Sequence, residues 1–343
     1  MNSARSLVSF LRRQGRKISP LLILTHDHPD PDALASAWAL AHLARFLAGV
    51  RSRIVYGGII GRVENQTMAR LLDVPVHPLR ERTDFRRFRA VALVDTQPLF
   101  GNNPFPKDGQ ATLVVDHHAP LRQIASVAAI IDPSAGATGV ILAQALLLAR
   151  CPVPPDLATA LVYGILSETQ DLGRETRDLE IRTYREMLSR CDLRTLALIQ
   201  NPQRPAEFFL TLKRSLEHAF VAGPLIGAHL GSVRAPDLVS QTADFLLTVE
   251  GMRWSLCTGW VEGRLYSSLR ALHPERHAGR LLQAVLGEKD RAGGHSTMAG
   301  GSIAFPSRTT GAALRKQEER VAARLLKLLF KGRAAPRIYP FRS

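Results

Sequence analysis

The chain has 343 residues, is 45% hydrophobic and carries a formal net charge of +15, which gives it length for a full core and suits two domains better than one. No uninterrupted apolar run of about 18 or more residues occurs, and the start, "MNSARSLVSFLRRQGRK", lacks the apolar centre and cleavage site of a signal peptide. A membrane span and secretion are therefore not expected and the cytoplasm is the expected address; the charge favours anionic partners, which could be nucleic acid, single strands included, a nucleotide or a membrane surface, and of these a membrane partner is not expected.

From about residue 20 to 170, apolar strand-like runs alternate with Ala/Leu-rich helical patterns: "LLILT", "ALASAWALAHLARFLAGV", "RIVYGG", "AVALVD", "TLVVD" and "TGVILAQALLLAR". Such alternation predicts a parallel sheet with crossover helices. The helix after Asp32 is apolar almost all round, yet it is short and carries His42 and Arg45, so it reads as a core helix. The character changes at "CDLRTLALIQNPQRPAEFF", where two prolines precede a polar helix to about His218. From about Val221 to Pro306 shorter strand runs and the Gly-rich "RAGGHSTMAGGSIAF" predict a smaller α/β domain. In the tail, Leu314, Val321, Leu325, Leu328 and Leu329 fall at helical spacing, a stripe that would pack on its own domain or on a partner subunit of a homodimer. Cys151, Cys191 and Cys257 are odd in number and without CxxC spacing, which predicts buried free thiols and not a disulfide framework or a thiolate zinc site.

Ligands of an open parallel sheet bind beyond the carboxyl ends of its strands. His26, Asp30, Asp32, Asp95, Asp116 and His117 each follow a strand-like run and should converge there. Carboxylates gathered this closely need compensating cations. A carboxylate-rich set with a few imidazoles and no thiolate suits Mn²⁺, with Mg²⁺ or Co²⁺ as substitutes, better than a structural zinc. Two such ions about 4 Å apart can clamp a phosphoryl group and activate a water between them. For Asp30 or Asp32 alone, a helix cap is the simpler reading; three loops together point to phosphoester hydrolysis.

The ordered motifs "HDHPDPDALAS", "VALVDTQP", "VVDHH", "GILSETQDLG" and "RAGGHSTMAGG" resemble the DHH phosphoesterase family, in the arrangement of a DHH domain followed by a DHH-associated domain. The resemblance runs from about residue 20 to 306 and is closest in layout to the oligoribonucleotidase (nanoRNase) and pAp-phosphatase branch. It implies a parallel-sheet DHH domain with flanking helices over residues 1–190, a helical connector over 191–220, and a smaller α/β domain over 221–335 that forms a cleft with the first. It further implies that His26 and Asp30 hold one Mn²⁺, that Asp32 and His117 hold the other, and that Asp95 bridges them. Asp116 would then steady an imidazole, and His118 would face the substrate phosphate. Where the family has Thr-Asp-Thr, this chain reads Ser167-Glu168-Thr169, so Glu168 replaces an aspartate ligand, with Asp171 a nearby substitute. In the second domain Arg270, Gly293, Gly294 and His295 would grip substrate. Asn102, Asn103, Lys107 and the helix start near Thr138 are further candidates for touching it, on loop polarity alone.

The expected activity is hydrolysis of small nucleotide substrates: short oligonucleotides, dinucleotides or pAp. Two rival readings stand beside it. The charge also suits a single-strand-specific 5′ exonuclease, and Glu168 also suits a catalytically impaired nucleotide-binding or sensing protein.

Overall fold

In the computed structural model, residues 2–80, 82–120, 124–173, 176–273, 277–287, 292–294, 297–305, 311–332 and 336–342 are described. They divide into two compact units, Met1–Pro202 and Gln203–Ser343. Among them, no helix is long and apolar enough to cross a membrane.

The first unit runs α1 (Asn2–Gln14), β1 (Leu21–Leu24), α2 (Pro31–Ala48), β2 (Ser52–Tyr56), α3 (Val63–Leu71), β3 (Val76–Pro78), β4 (Ala90–Val94), β5 (Ala111–Asp116), β6 (Ser126–Ile131), α4 (Thr138–Leu148), α5 (Pro155–Thr169), α6 (Asp178–Leu188) and α7 (Leu193–Gln200). Its sheet has the order β3-β2-β1-β4-β5-β6, and every neighbouring pair is parallel. β1 and β4 sit side by side at its centre, and the chain winds outward from them in opposite directions. The gap between the loops leaving those two strands is where doubly wound sheets bind ligands.

Both faces of β1 are buried, Leu21 and Ile23 on one and Leu22 and Leu24 on the other, which explains the continuous apolar run. α2 buries most of its circumference, Asp32 and Ser36 included, because α4 and α5 pack against it. It is a core helix. Small residues make that packing close. A Cβ on Gly139 of α4 would stand 2.7 Å from Asp32 Oδ1, and one on Gly164 of α5 would stand 3.1 Å from Pro31 O. Only glycine lets those helices approach so near.

The second unit runs α8 (Ala206–Glu217), β7 (Phe220–Ala222), β8 (Leu225–Ser232), α9 (Pro236–Leu246), β9 (Trp254–Val261), β10 (Arg264–Ala271), α10 (Ala278–Leu286), β11 (Ala292–Gly294), β12 (Met298–Ala304) and α11 (Gly311–Leu329). Its sheet has the order β11-β12-β10-β9-β8-β7 and is antiparallel except for β8 with β9. One face carries a core shared with α10 and α11, where Val321, Leu325 and Leu329 are buried. The other packs Val239, Ala243 and Leu246 of α9. Of the tail's stripe, Val321, Leu325 and Leu329 pack on their own domain with Leu314 against them, while Leu328 is exposed. Cys151 and Cys257 are buried free thiols and Cys191 is half-buried.

Candidate metal centre

The loops after β1, β4 and β5 bring their polar residues together beyond the carboxyl edge of the first sheet. After β1 the chain crosses the edge at His26, and Asp30 caps α2 by accepting from Ala33 N at 2.9 Å. After β4, Asp95 takes a left-handed backbone, φ 58°, a conformation aspartate tolerates better than most side chains. Its N–H still donates to Val115 O at 3.0 Å, so the strand ladder holds it rigidly while the turn aims its carboxylate across the strand ends. After β5 come Asp116, His117 and His118.

Among the described residues two groups of ligand atoms form, each with all members within 4.8 Å of one another: His26 with Asp30 and Asp95, and Asp95 with His117 and His118. Asp95 belongs to both. Its Oδ2 lies 3.6 Å from His26 Nε2 and its Oδ1 lies 3.7 Å from His117 Nε2. His117 Nδ1 donates to Ala135 O at 3.2 Å, which leaves the lone pair on Nε2. Among the described residues that buried nitrogen has no hydrogen-bond partner. An unpaired lone pair 3.7 Å from a buried carboxylate oxygen is the arrangement expected where a cation is to lie between them.

Asp32 and Glu168 fall in neither group, although Glu168 Oε1 comes within 4.0 Å of His117 Nε2. The Asp32 carboxylate is buried and turned to the start of α4, accepting from Thr138 N at 2.7 Å and Gly139 N at 2.8 Å, and from Ser36 Oγ at 3.3 Å. Asp171 is exposed beyond the end of α5.

Residues 20–165 match the model of the DHH family, N-terminal domain. That segment carries the N-terminal domain of the DHH family. Over 324 residues it is 33% identical to an uncharacterized protein of Methanocaldococcus jannaschii, an alignment covering 93% of this chain and 66% of that protein. Its fold is also that of an exopolyphosphatase-related protein from Bacteroides fragilis, with a TM-score of 0.75 at 14% identity over 95% of this chain and 98% of the other. A manganese-bound exonuclease RecJ aligns at a TM-score of 0.49 and 17% identity, over 95% of this chain and 94% of its own.

Within this DHH domain the adjacent histidines have different settings. Asp116 is fully buried; its Oδ1 accepts from His118 Nδ1 at 2.8 Å and from His118 N at 3.1 Å. The imidazole is thereby fixed with its proton on Nδ1. Gln97 ties the pair down from behind, donating to Asp116 Oδ2 at 2.8 Å and to His118 O at 2.9 Å. Thr138 does the same for Asp95, giving its hydroxyl to Oδ1 at 2.7 Å while accepting from His117 N at 3.2 Å. Gln97 stands inside the "VALVDTQP" motif, two residues after Asp95, but one chain gives no sign that its amide turns inward. Asn103 donates to Thr96 Oγ1 and Gln97 O, which makes it a brace for this loop.

Gln97→Leu should lower turnover by roughly 10- to 100-fold, the usual effect of removing a group that orients a ligand-bearing side chain. The melting temperature in the absence of metal separates this from unfolding. Full turnover in a folded variant would show that His118 keeps its orientation without Gln97.

Charge in the cluster is out of balance. Burial and the neighbouring Asp95, Asp30 and Glu168 push Asp32 well above the usual carboxylate range, and burial together with Asp30 raises Asp95. Asp30 is held low, against the effect of burial, by His26 and by the Ala33 N–H, and Asp116 is held low in the same way by His118 and Gln97. Burial opposes protonation of His26, yet Asp30 and Asp95 together push it up to about 10. In the same way Asp116 and Asp95 push His118 up to about 9. Protons here stand in for missing positive charge, so the oxygen-rich donor set with imidazoles fits divalent cations.

In the second unit, Arg270 is buried and pairs with Asp244 of α9, and its Nη1 also donates to Leu269 O and Ala299 O. The guanidinium is thus engaged inside its own domain. Gly294, at φ 146°, could not carry a side chain, because a Cβ would stand 2.2 Å from Met298 O. Gly293 is exposed with open space where a Cβ would lie. His295 lies outside the described residues.

Proposed function

We propose that this protein is a Mn²⁺-dependent phosphoesterase acting on small nucleotide substrates: short oligonucleotides, dinucleotides or pAp. The observation that carries the reading is the sharing of buried Asp95 between two ligand groups, with the unpaired Nε2 of His117 beside it. His26 and Asp30 are assigned to one cation, His117 and Asp32 to the other, and Asp95 to both. Asp32 can serve despite its bonds to α4, since a carboxylate offers about four lone-pair sites. Glu168 approaches His117 closely enough to complete the second set. When bound, two divalent cations supply positive charge to phosphoryl oxygens and acidify a water.

The chain's own residues do the rest. His118, with its proton fixed on Nδ1 by Asp116, presents Nε2 as the nitrogen that meets the substrate phosphate. Asp116 and Gln97 prevent that ring from turning, and the left-handed turn at Asp95 keeps its carboxylate in place without reorganisation.

The test is turnover by metal-stripped protein, with and without added Mn²⁺, Mg²⁺ or Co²⁺, on pAp, short RNA, linear and cyclic dinucleotides and labelled long single-stranded DNA. Hydrolysis of the small substrates that appears only with metal is expected. Turnover without metal would sink the reading. Strong preference for the long strand would replace it with a single-strand exonuclease.

A further inference from the structure

Away from the metal centre, a cavity of about 460 Å³ runs between α1 and β6 and is lined by Arg5, Ser6, Ser9 and Arg13 on the helix and Val127 and Ile130 on the strand, among others. β6 is an edge strand, so the groove is open along its outer side. We propose that this groove is a binding track for the phosphate backbone of single-stranded nucleic acid.

Charge complementarity chooses the occupant. Among the described residues no acidic one lines the groove, and residues 2–17 carry Arg5, Arg12, Arg13, Arg16 and Lys17 with no Asp or Glu. Arg5 and Arg13 are eight residues apart on one helix, about 12 Å along its axis. Two cations at that separation match a chain of phosphates better than a single anion. Between them Ser6 and Ser9 offer hydroxyls, and Val127, 68% exposed, gives sugars and bases an apolar surface. A basic line beside apolar surface is how proteins follow a single strand. A bilayer is a poorer match, because the apolar face of α1, with Leu7, Val8 and Leu11, is already spent in the core.

The groove also has a direction. Ser3 Oγ donates to Asp132 Oδ2 at 2.9 Å, so the start of α1 lies at the carboxyl end of β6. Arg13 lies some 15 Å further along the helix, toward the other end of the strand. The Asp132 carboxylate is also engaged by Ser134 through its N–H and hydroxyl. The Asp132 N–H donates to Asp116 O at 3.0 Å. One end of the groove therefore opens at the sheet edge that carries Asp116, His117 and His118, and a strand lying in it would point a terminus toward them. Binding in the groove is independent of the metal centre and of the activity proposed for it.

The test is fluorescence anisotropy of a labelled 12-nucleotide RNA and the matching DNA against the 343-residue protein held in chelator, across a salt series. An Arg5→Glu/Arg13→Glu variant should bind about tenfold or more weakly at low salt, and its slope of log affinity against log salt should be shallower by about 1.4, or about 0.7 per lost phosphate contact. If charge reversal lowers the melting temperature, Arg5→Ala/Arg13→Ala is read instead, with the same change in slope expected. Unchanged affinity and slope in a folded variant would overturn the proposal. So would loss of binding to phosphatidylserine vesicles with oligonucleotide binding intact. A protein that binds the oligonucleotides in this way but hydrolyses nothing would leave the groove standing and overturn only the phosphoesterase reading.

Discussion

An Asp95→Asn variant should lose metal-dependent turnover by about a thousandfold or more, yet in chelator it should melt no lower than the parent protein. The first half follows from position. Asp95 is common to both ligand groups, so on the assignment proposed above its charge would help to hold both cations, and metal stabilisation of transition-state charge amounts to several kcal/mol. The second half follows from electrostatics. Asp95 is buried with its acidity weakened, by burial first and by Asp30 next, so its charged form is a burden to the metal-free fold. Asparagine keeps the shape, tolerates the positive φ, can still accept from the Thr138 hydroxyl and removes the charge. The pair of readings is diagnostic: differential scanning calorimetry in chelator and with Mn²⁺, together with turnover. A variant that is inactive because it is unfolded, or one that keeps most of its turnover, would contradict the bridging role.

In chelator the protein should lose stability as pH rises from 6.5 toward 10, and added Mn²⁺ should restore more of it at the upper end of that range than at the lower. His26 and His118 stand raised, to about 10 and about 9, so the folded state binds protons more tightly than the unfolded chain. Such a contribution is complete below the unfolded value of 6.5 and disappears as pH climbs through the folded values. Each tenfold gain in proton affinity on folding corresponds to about 1.4 kcal/mol, so the loss should amount to roughly several kcal/mol. The raised Asp32 and Asp95 add a penalty of the same sign from about pH 4 upward. Bound cations reverse the trend, because they compete with those protons for the same lone pairs and bind better as the protons leave. Melting temperatures measured from pH 6 to 10, with chelator and with Mn²⁺, give the two curves. Parallel curves would show that these groups do not share their site with metal.

Much of this centre is legible in the order of the sequence. Strand-ending residues in an open parallel sheet must converge, and His26, Asp30, Asp95 and His117 announce themselves as polar residues directly after apolar runs. Other parts depend on contacts between distant segments. Asp32 sits two residues from Asp30, yet its carboxylate faces the start of α4 because Gly139 and Gly164 let α4 and α5 press against α2. Gln97 and Thr138 look like ordinary loop and helix-start residues until the fold sets them against Asp116 and Asp95. Arg270 reads as a substrate contact from its motif, but the acid beside it, Asp244, comes from a helix that periodicity alone does not aim at β10. Pattern reveals which residues reach the strand ends; packing decides the direction in which each one faces.

The bond between Asp32 and the first turn of α4 bears on how an anionic substrate can be held. The N–H groups that open a helix ordinarily receive phosphate, as in many nucleotide-binding folds, and α4 begins among the strand-end loops where a substrate would arrive. Two of those groups, on Thr138 and Gly139, are already taken by a carboxylate of the chain itself. Asp32 thus acts as a built-in plug, occupying the backbone cradle at the start of α4. On the function proposed above, a phosphate arriving at this helix start would be met by cations and side chains, which can be loaded, exchanged or removed, and not by the permanent dipole of α4.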